Sequence, residues 1–221
     1  MNTADQLILE LPLRTAQGRA DFLVTGSNAD AVAWLDRWPD WPGPAMCIHG
    51  PEGCGKSHLL QVWCAQTKAI AIVPAQLTTA SVPNLAARGA IALDMADAVV
   101  DPEPLLHLYN LLAEHGGFLL LASRKPPIQW GLSLADLRSR VLAAPSVGIL
   151  PPDDRLFMAV MAKMFADRQV RVGQDVLLFL AARIERSFAA AERAVTRLDH
   201  NSLSGQRAIT VRSARALLAA N

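Results

Sequence analysis

The sequence has no excess of charge of either sign and no long apolar run. In its 221 residues, 21 Lys and Arg balance 20 Asp and Glu, which leaves a formal net charge of +1. That balance excludes a protein that holds DNA or RNA mainly through a strongly basic surface, because such a surface needs Lys and Arg in excess. No apolar run approaches the ~18 residues of a membrane span. The first residues lack the basic segment that begins a signal peptide, so we expect neither a membrane span nor an export signal.

Cysteine is scarce. Cys47, Cys54 and Cys64 are odd in number and contain no CxxC pair. Their number and spacing argue against a disulfide framework or a zinc site and favour a reducing, cytoplasmic compartment.

Apolar residues, by contrast, are abundant. They make up 52% of the chain, whereas charged residues make up 19%. Disorder is therefore excluded, because disordered chains are poor in apolar residues and rich in charge. The apolar share is high for a soluble monomer of this size, which suggests that some of it lies on a surface that meets a partner.

Short apolar runs alternate with helix-length segments between residues 45 and 150. The runs have five or six residues and little period-2 alternation, which is typical of strands covered on both faces. Strand–helix alternation predicts an α/β fold with a parallel sheet and flanking helices. The predicted strands are Ala45–His49, Ala69–Val73, Ala90–Asp94, Phe118–Ser123 and Ser146–Leu150. The predicted helices are Ala29–Trp38 (capped by Ser27 or Asn28), Lys56–Gln66 and Leu105–His115, with a loop at Pro39–Pro44.

The pattern becomes purely helical after Pro151–Pro152. Asp153 or Asp154 is the expected cap of a first helix, and Asp175 that of a second. A third helix is expected from about Ser187 to Leu198, and a fourth after Thr210. We therefore predict an N-terminal tail at 1–14, an α/β domain at 15–150 and a small helical lid domain at 151–221.

One segment predicts a phosphate site. Residues 50–57 match G-x-x-x-x-G-K-[ST] in full, between a strand candidate and a helix candidate, as this motif requires. Backbone N–H groups of such a loop point inward at an anion, and the helix N-terminus adds partial positive charge. Lys56 is expected to reach the β- and γ-phosphates, and Ser57 to bind Mg²⁺. The candidate nucleotide contacts are Gly50, Pro51, Glu52, Gly53, Cys54, Gly55, Lys56, Ser57 and His58.

A second metal ligand is needed, and Asp94 at the end of an apolar strand is the candidate, acting through water. The alternative is an Asp that only caps a turn. Met95 follows and cannot polarise a water. Asp97, three residues after Asp94, is the alternative acid, although its spacing gives it no special claim. Cys54 lies within the loop, where a helix N-terminus lowers the pKa of a thiol, so it is either redox-active or a passive loop residue.

At this point the sequence resembles the DnaA and Hda branch of the AAA+ ATPases. The resemblance covers residues 22–218. It rests on the phosphate loop running into His58-Leu59-Leu60, and on Ser123–Pro127, Leu137–Arg140 and Pro152–Asp154 in this order. It implies an AAA+ P-loop sheet followed by a helical lid, and ADP or ATP with Mg²⁺ as cofactors.

Two features favour the Hda-like type. No residues remain after the lid for a helix-turn-helix DNA-binding domain, so no dedicated DNA-binding domain is expected. In addition, residues 6–11, Gln-Leu-Ile-Leu-Glu-Leu, resemble the motif that binds the replicative sliding clamp. An amide and three apolar anchors suit a preformed pocket; the anchors are Leu7, Leu9 and Leu11, and the amide is Gln6. The alternative is a short strand or tail that packs on its own domain.

The resemblance also implies individual roles. The segment Gly26–Asn28 matches residues that line the adenine pocket. Arg140 matches the arginine finger offered to a neighbouring subunit's nucleotide, with Arg138 as the nearby competitor. A guanidinium suits this role because it stays charged and presents a planar fork to phosphate oxygens. The alternative for both arginines is a solvated helix charge or an ordinary ion pair.

The sequence departs from the family pattern at three catalytic positions. Met95 replaces the second acid of the metal-binding strand, and Arg124 stands at the sensor 1 position, where DnaA-like segments have Asp. The sensor 2 arginine position falls on Ala189, with Arg186 and Arg193 nearby. Because losing one such electrostatic group costs on the order of 10²–10³ in rate, we expect nucleotide binding, with ADP favoured, and weak intrinsic hydrolysis.

The function that the resemblance implies is negative regulation of replication initiation. The expected partners are DnaA and the sliding clamp (the polymerase β subunit), and a homo-oligomer is possible. The protein would stimulate ATP hydrolysis by DnaA through Arg140. Three other functions stay open: a helicase-loader-like remodelling ATPase, a small-molecule P-loop kinase, for which no acceptor pocket is evident, and a catalytically inactive adaptor.

Overall fold

The computed structural model describes residues 24–205 and 208–219, except for the side chains of 203–205. In this part of the chain the strands form one five-stranded sheet in the order β2-β3-β4-β1-β5. Every neighbouring pair is parallel. The predicted parallel α/β sheet is therefore confirmed. The strands are β1 (Ala45–His49), β2 (Ile70–Ile72), β3 (Ala90–Leu93), β4 (Phe118–Ser123) and β5 (Ser146–Gly148).

Helices occupy the connections and the C-terminal part. Those of the α/β part are α1 (Ala29–Asp36), α2 (Lys56–Thr67), α3 (Val82–Ala86), α4 (Glu103–Glu114) and α5 (Ala135–Ala143). Those of the helical part are α6 (Asp154–Asp167), α7 (Gln174–Ala181), α8 (Phe188–Gly205) and α9 (Val211–Ala219). None of these helices is both long and apolar enough to cross a membrane.

The central strands are apolar on both faces because each face is covered by helices. In β1, Ala45 and Cys47 belong to the core formed with α3, α4 and α5, whereas Met46 and Ile48 belong to the core formed with α1 and α2. Side chains of a strand alternate between its faces, so both positions of the alternation must be apolar. This explains the continuous apolar runs in the sequence.

Aromatic packing closes the face that carries α1 and α2. Trp63 of α2 is fully buried. Its ring stacks on Trp41 at a centroid separation of 5.6 Å. Trp38 meets Trp63 edge-on at 6.3 Å. The proline-rich loop after α1 is thus held against the sheet by large aromatic rings, whose burial contributes to stability.

Several predicted element boundaries differ from the structure. β2 and β5 are only three residues long, and β3 ends at Leu93, so Asp94 follows the strand. Helix α1 ends at Asp36 and α8 continues to Gly205. The strand differences arise where runs of apolar residues continue past the last ladder hydrogen bond. The extension of α8 covers residues 199–205, a mostly polar segment in which apolar periodicity gives no signal.

The predicted helix caps have mixed outcomes. The Asp153 side chain accepts a hydrogen bond from the Leu156 N–H at 2.8 Å, which confirms Asp153 as the cap of α6. The predicted cap at Asp175 is wrong, because α7 begins at Gln174 and Gly173 holds the cap position. Asn28 precedes α1, but its side chain accepts from the Thr25 N–H at 2.9 Å instead of capping the helix.

Helices α6 to α9 pack around a separate apolar core. Phe157 and Phe165 of α6, Leu180 of α7 and Val195 of α8 are buried in it. Ion pairs lie at its surface, and one of them, between Arg186 and Asp154, has an N···O distance of 2.7 Å. The helical part therefore has its own core, beside those of the sheet.

The helical part contacts the loop that follows β1. The Phe188 N–H, at the start of α8, donates to the Gly53 carbonyl at 2.8 Å. A Cβ on Gly53 would overlap the Ser187 side chain, and one on Gly55 would lie 3.0 Å from the Phe188 ring. Glycine at these two positions therefore lets the first turn of α8 approach the loop.

We expect Gly53→Ala to destabilise the protein more than Gly131→Ala. Both glycines have positive φ, 72° and 66°, so both substitutions carry the left-handed backbone cost of about 1–2 kcal/mol. Only Gly53 adds a steric overlap with Ser187, since Gly131 faces open space. Overpacking adds about 1–3 kcal/mol. Urea denaturation of both variants measures the difference, and equal losses would show that the contact tolerates a methyl group.

Candidate functional site

The order of three neighbouring strands brings the candidate residues together. Strand β4 lies between β1 and β3. The carboxyl ends of parallel strands meet at one edge of a sheet, where ligands bind in open α/β folds. Here the loop Gly50–Gly55 follows β1, Arg124 follows β4 and Asp94 follows β3. These three segments enclose a pocket of about 180 Å³. Its lining residues are Glu52, Gly53, Lys56, Ser57, Asp94, Met95, Ser123 and Arg124.

Glycine shapes the loop. Gly53 and Gly55 have φ values of 72° and 105°, which L side chains rarely adopt. A Cβ on Gly50 would overlap the carbonyl of Ile149 beyond β5. Glycine at all three positions, the two that the motif fixes and Gly53 between them, is thus dictated by backbone conformation and close approach. Between them, Pro51 and Glu52 are exposed, and His58 is exposed in the first turn of α2.

Lys56 is folded into the loop. Only 8% of the residue is exposed. Its Nζ donates to the carbonyls of Gly50 and Pro51 at 2.8 and 2.7 Å, and to the Cys54 Sγ at 3.7 Å. Within the described residues, these acceptors are all neutral groups. The positive charge therefore remains available to an anion that enters the loop.

Ser57 and Asp94 meet at the mouth of the pocket. The Ser57 hydroxyl donates to Asp94 Oδ2 at 2.6 Å. The other oxygen, Oδ1, accepts from the Met95 N–H at 2.8 Å. One carboxylate oxygen of Asp94 therefore stabilises the turn after β3, and the other binds Ser57. Two oxygen donors, a hydroxyl and a carboxylate, suit a hard cation such as Mg²⁺.

The candidate catalytic positions carry unusual side chains. Met95 is 40% exposed and has a φ of 53°. Asp97 Oδ2 accepts from the Arg124 N–H at 3.2 Å, so this carboxylate fixes the chain after β4. Ala189 lies in the first turn of α8 and is half-buried, and Arg193 is exposed on the same helix. The arginine nearest the start of α8, Arg186, pairs with Asp154.

Ser187 and Phe188 were not among the predicted site residues, yet they contact the phosphate loop. Ser187 is 3% exposed, and its hydroxyl accepts from the Ala190 N–H at 3.1 Å as the cap of α8. A serine directly before a helical segment is a typical N-cap, so this role could be predicted from the sequence. Its contact with Gly53 depends on how the helical part sits on the loop, which no local pattern encodes.

Arg140 lies on α5, apart from the residues that line the pocket. Its Nε and Nη2 atoms donate to the two carboxylate oxygens of Asp136 at 3.1 and 3.3 Å. The guanidinium also lies 5.5 Å from the centre of the Tyr109 ring. The side chain is nevertheless 36% exposed, and Arg138 is exposed on the same helix. The guanidinium is therefore paired within its own helix but accessible from outside.

Of the two remaining candidate segments, the structure describes the one predicted to line the adenine pocket but not the one predicted to bind the clamp. The segment Gly26–Asn28 lies beside the end of β5, where the Leu150 N–H donates to the Ser27 carbonyl at 3.0 Å. Ser27 and Asn28 are buried. The candidate clamp-binding residues Gln6, Leu7, Leu9 and Leu11 lie outside the described residues.

The three cysteines are free, and burial governs the thiol in the loop. Cys54 is 5% exposed. Burial raises the pKa of the Cys54 thiol above its ordinary value, and the positive charge of Lys56 offsets part of the rise. Of the two alternatives for Cys54, the raised pKa favours the passive loop residue over a redox-active thiol, because desolvation outweighs the charge of the lysine.

Cys54 should consequently react slowly with iodoacetamide at pH 7. The thiolate is the reactive form, and a raised pKa means that less of it is present at neutral pH than in free cysteine. The rate should increase with pH until the raised pKa is passed. Peptide mapping by mass spectrometry, with N-acetylcysteine as the reference, measures this rate. Alkylation at pH 7 as fast as that of the reference would contradict the assignment.

Known structures share this architecture. No protein-family model matches the sequence. Domain III of the replication initiation protein DnaA from Thermotoga maritima superposes with a TM-score of 0.76 and 18% identity, over 89% of this chain and 92% of that one. AMPPCP-bound DnaA from Aquifex aeolicus gives 0.69 and 18%, over 83% and 65%. The Thermotoga maritima RuvB Holliday junction branch migration motor gives 0.63 and 14%, over 78% and 60%.

The coverage shows which part of these proteins is shared. The chain matches nearly all of DnaA domain III but less than two thirds of the longer DnaA and RuvB chains. At these identities the likeness concerns the fold. The chain has a DnaA-like AAA+ P-loop fold, with a five-stranded parallel sheet, flanking helices and a helix-rich C-terminal part.

Proposed function

We propose that this protein binds ADP or ATP with Mg²⁺ and regulates replication initiation negatively, in the manner of Hda. In this proposal it docks on the sliding clamp and stimulates ATP hydrolysis by DnaA through Arg140. The observation that carries the proposal is a phosphate site that keeps its binding groups but not its hydrolytic ones. Ser57 and Asp94 remain in contact at 2.6 Å, whereas the residue after Asp94 is an apolar methionine.

The residues of the loop fit a polyphosphate. The Lys56 ammonium is buried against neutral acceptors, and the loop glycines allow backbone N–H groups to approach an anion. Ser57 and Asp94 would hold the cation that accompanies the phosphates. When bound, that cation neutralises phosphate charge, while Lys56 and the start of α2 orient the nucleotide.

Weak intrinsic hydrolysis follows from the same residues. Met95 offers neither a proton acceptor nor a hydrogen bond to an attacking water. At the sensor 2 position Ala189 stands in place of an arginine, and the nearby Arg186 pairs with Asp154 at 2.7 Å. A nucleotide would therefore be held more effectively than it is turned over.

Arg140 is the proposed residue that acts on the nucleotide of DnaA. Its pairing with Asp136 is a partly exposed ion pair between neighbouring turns of one helix, and such pairs contribute only about 0.3–0.5 kcal/mol. A triphosphate in a facing subunit is a stronger partner, because it accepts two charge-assisted hydrogen bonds from one guanidinium. Arg140 can therefore leave Asp136 and bind the triphosphate at a small cost in free energy.

Arg140→Ala should abolish the stimulation of DnaA while leaving clamp binding intact. An arginine finger supplied in trans to a GTPase accelerates hydrolysis by about 10³–10⁵, so its loss should remove nearly all of the effect. The measurement is hydrolysis of DnaA-bound ATP with DNA-loaded clamp present. Arg138→Ala, an exposed arginine on the same helix, is the matched control and should retain stimulation.

The outcomes of that assay separate the candidate functions. Stimulation by the Arg140→Ala variant equal to wild type would refute the finger assignment. Rapid ATP turnover by the purified protein without DnaA or clamp would instead support a helicase-loader-like ATPase.

Gln6→Ala should weaken binding to the sliding clamp. A short peptide motif depends on few anchors, so loss of the amide hydrogen bonds is expected to cost about 1–3 kcal/mol. Surface plasmon resonance on immobilised clamp measures the change, with Asn2→Ala as the control in the same tail. Equal affinities of the two variants would show that the Gln6 amide does not contribute to the contact.

A further inference from the structure

Arg124 introduces a second cation into the phosphate pocket. It follows β4, the strand between β1 and β3, and so lies between the phosphate loop and Asp94. Neighbouring strands are only about 5 Å apart. Arg124 lines the same 180 Å³ pocket as Lys56, Ser57 and Asp94.

The backbone of Arg124 is fixed on both sides. Its N–H donates to Asp97 Oδ2 at 3.2 Å. Before it, the buried Ser123 hydroxyl donates across it to the Lys125 carbonyl at 2.7 Å. The start of the side chain is therefore held at the pocket, and its remaining freedom lies in the side-chain rotamers.

The guanidinium has only a loose partner in the described part of the chain. Arg124 Nη2 lies 3.9 Å from Glu52 Oε2, and the side chains are 60% and 79% exposed. Solvent-exposed ion pairs of this kind contribute little, because both groups remain hydrated. Since Glu52 belongs to the phosphate loop itself, the pair spans the entrance that nucleotide phosphates would use.

We propose that Arg124 binds the β- and γ-phosphates of a nucleotide held in its own chain and slows release of that nucleotide. Phosphate oxygens accept two parallel hydrogen bonds from one guanidinium, which is stronger than the loose contact with Glu52. On binding, Arg124 exchanges Glu52 for phosphate. This inference rests on the proposed binding of nucleotide and adds a residue whose role is retention.

The test measures nucleotide affinity rather than activity. Dissociation constants for Mg²⁺–ADP and Mg²⁺–ATP are determined by isothermal titration of the whole chain, and release rates by chasing N-methylanthraniloyl-ADP with excess ADP. Arg124→Ala should weaken both nucleotides about 10- to 100-fold, since a charge-assisted hydrogen bond is lost, with most of the change in the release rate. Arg124→Lys should lie between, because an ammonium keeps the charge but not the fork.

Lys125→Ala is the matched control. It removes one positive charge from the next residue, which does not line the pocket, and should leave both constants unchanged. Thermal unfolding without nucleotide establishes that each variant is folded; Arg124→Gln replaces Arg124→Ala if the latter is not.

A double-substitution cycle tests the exchange with Glu52. Glu52→Gln should tighten ADP binding in the wild-type background by releasing Arg124, and should tighten it less in the Arg124→Ala background. Equal gains in both backgrounds would overturn the exchange.

Two failures are distinguishable. If the wild-type chain binds neither nucleotide, the proposed nucleotide binding is wrong and this inference falls with it. If the wild type binds and Arg124→Ala binds equally well, only the role of Arg124 is overturned.

Discussion

The position of β4 between β1 and β3 is the constraint on which the site depends. Parallel strands present their carboxyl ends at one edge, so a loop, an arginine and an aspartate that are far apart in the sequence become neighbours. The central strands β1, β3 and β4 are buried along nearly their whole length, because helices cover both faces of the sheet. A site of three chain segments is thereby held at the end of the buried part of the sheet.

A second constraint joins the loop to the helical part. The Gly53 carbonyl accepts from the Phe188 N–H at 2.8 Å, and the absence of a side chain at Gly53 makes that approach possible. The same glycine therefore serves two requirements, a left-handed turn for the loop and close contact with α8. A nucleotide that reshapes the loop would act directly on the start of α8, since a backbone hydrogen bond connects them.

In the proposed function, the charges of the site favour holding a nucleotide over hydrolysing it. Lys56 and Arg124 supply positive charge at the pocket, and Ser57 with Asp94 supplies oxygen ligands for a cation. Met95 stands where a second acid would activate water, and Ala189 stands at the position that the resemblance assigns to the sensor 2 arginine. In the proposed function, the chain uses a nucleotide as a stable part of its structure and acts, through Arg140, on a nucleotide bound to another molecule. Nucleotide retention by Arg124 and presentation of Arg140 from α5 would then be two parts of one regulator.

The sequence by itself determined the parallel α/β sheet and the phosphate loop. Strand periodicity and the spacing of Gly50, Gly55, Lys56 and Ser57 are local, and a loop of eight consecutive residues needs no distant partner to be recognised. The cap of α6 was predictable as Asp153 or Asp154 for the same reason, and the structure shows that it is Asp153. The ends of strands were not predictable, because apolar runs continue beyond the ladder. Only the tertiary structure decided which distant groups meet. In the folded chain, Arg124 lies beside Glu52 and Ser187 lies against Gly53. Cys54 is buried, which raises the pKa of its thiol. Contacts between segments and the desolvation of a side chain depend on how whole elements pack, and a pattern along the chain carries no record of that packing.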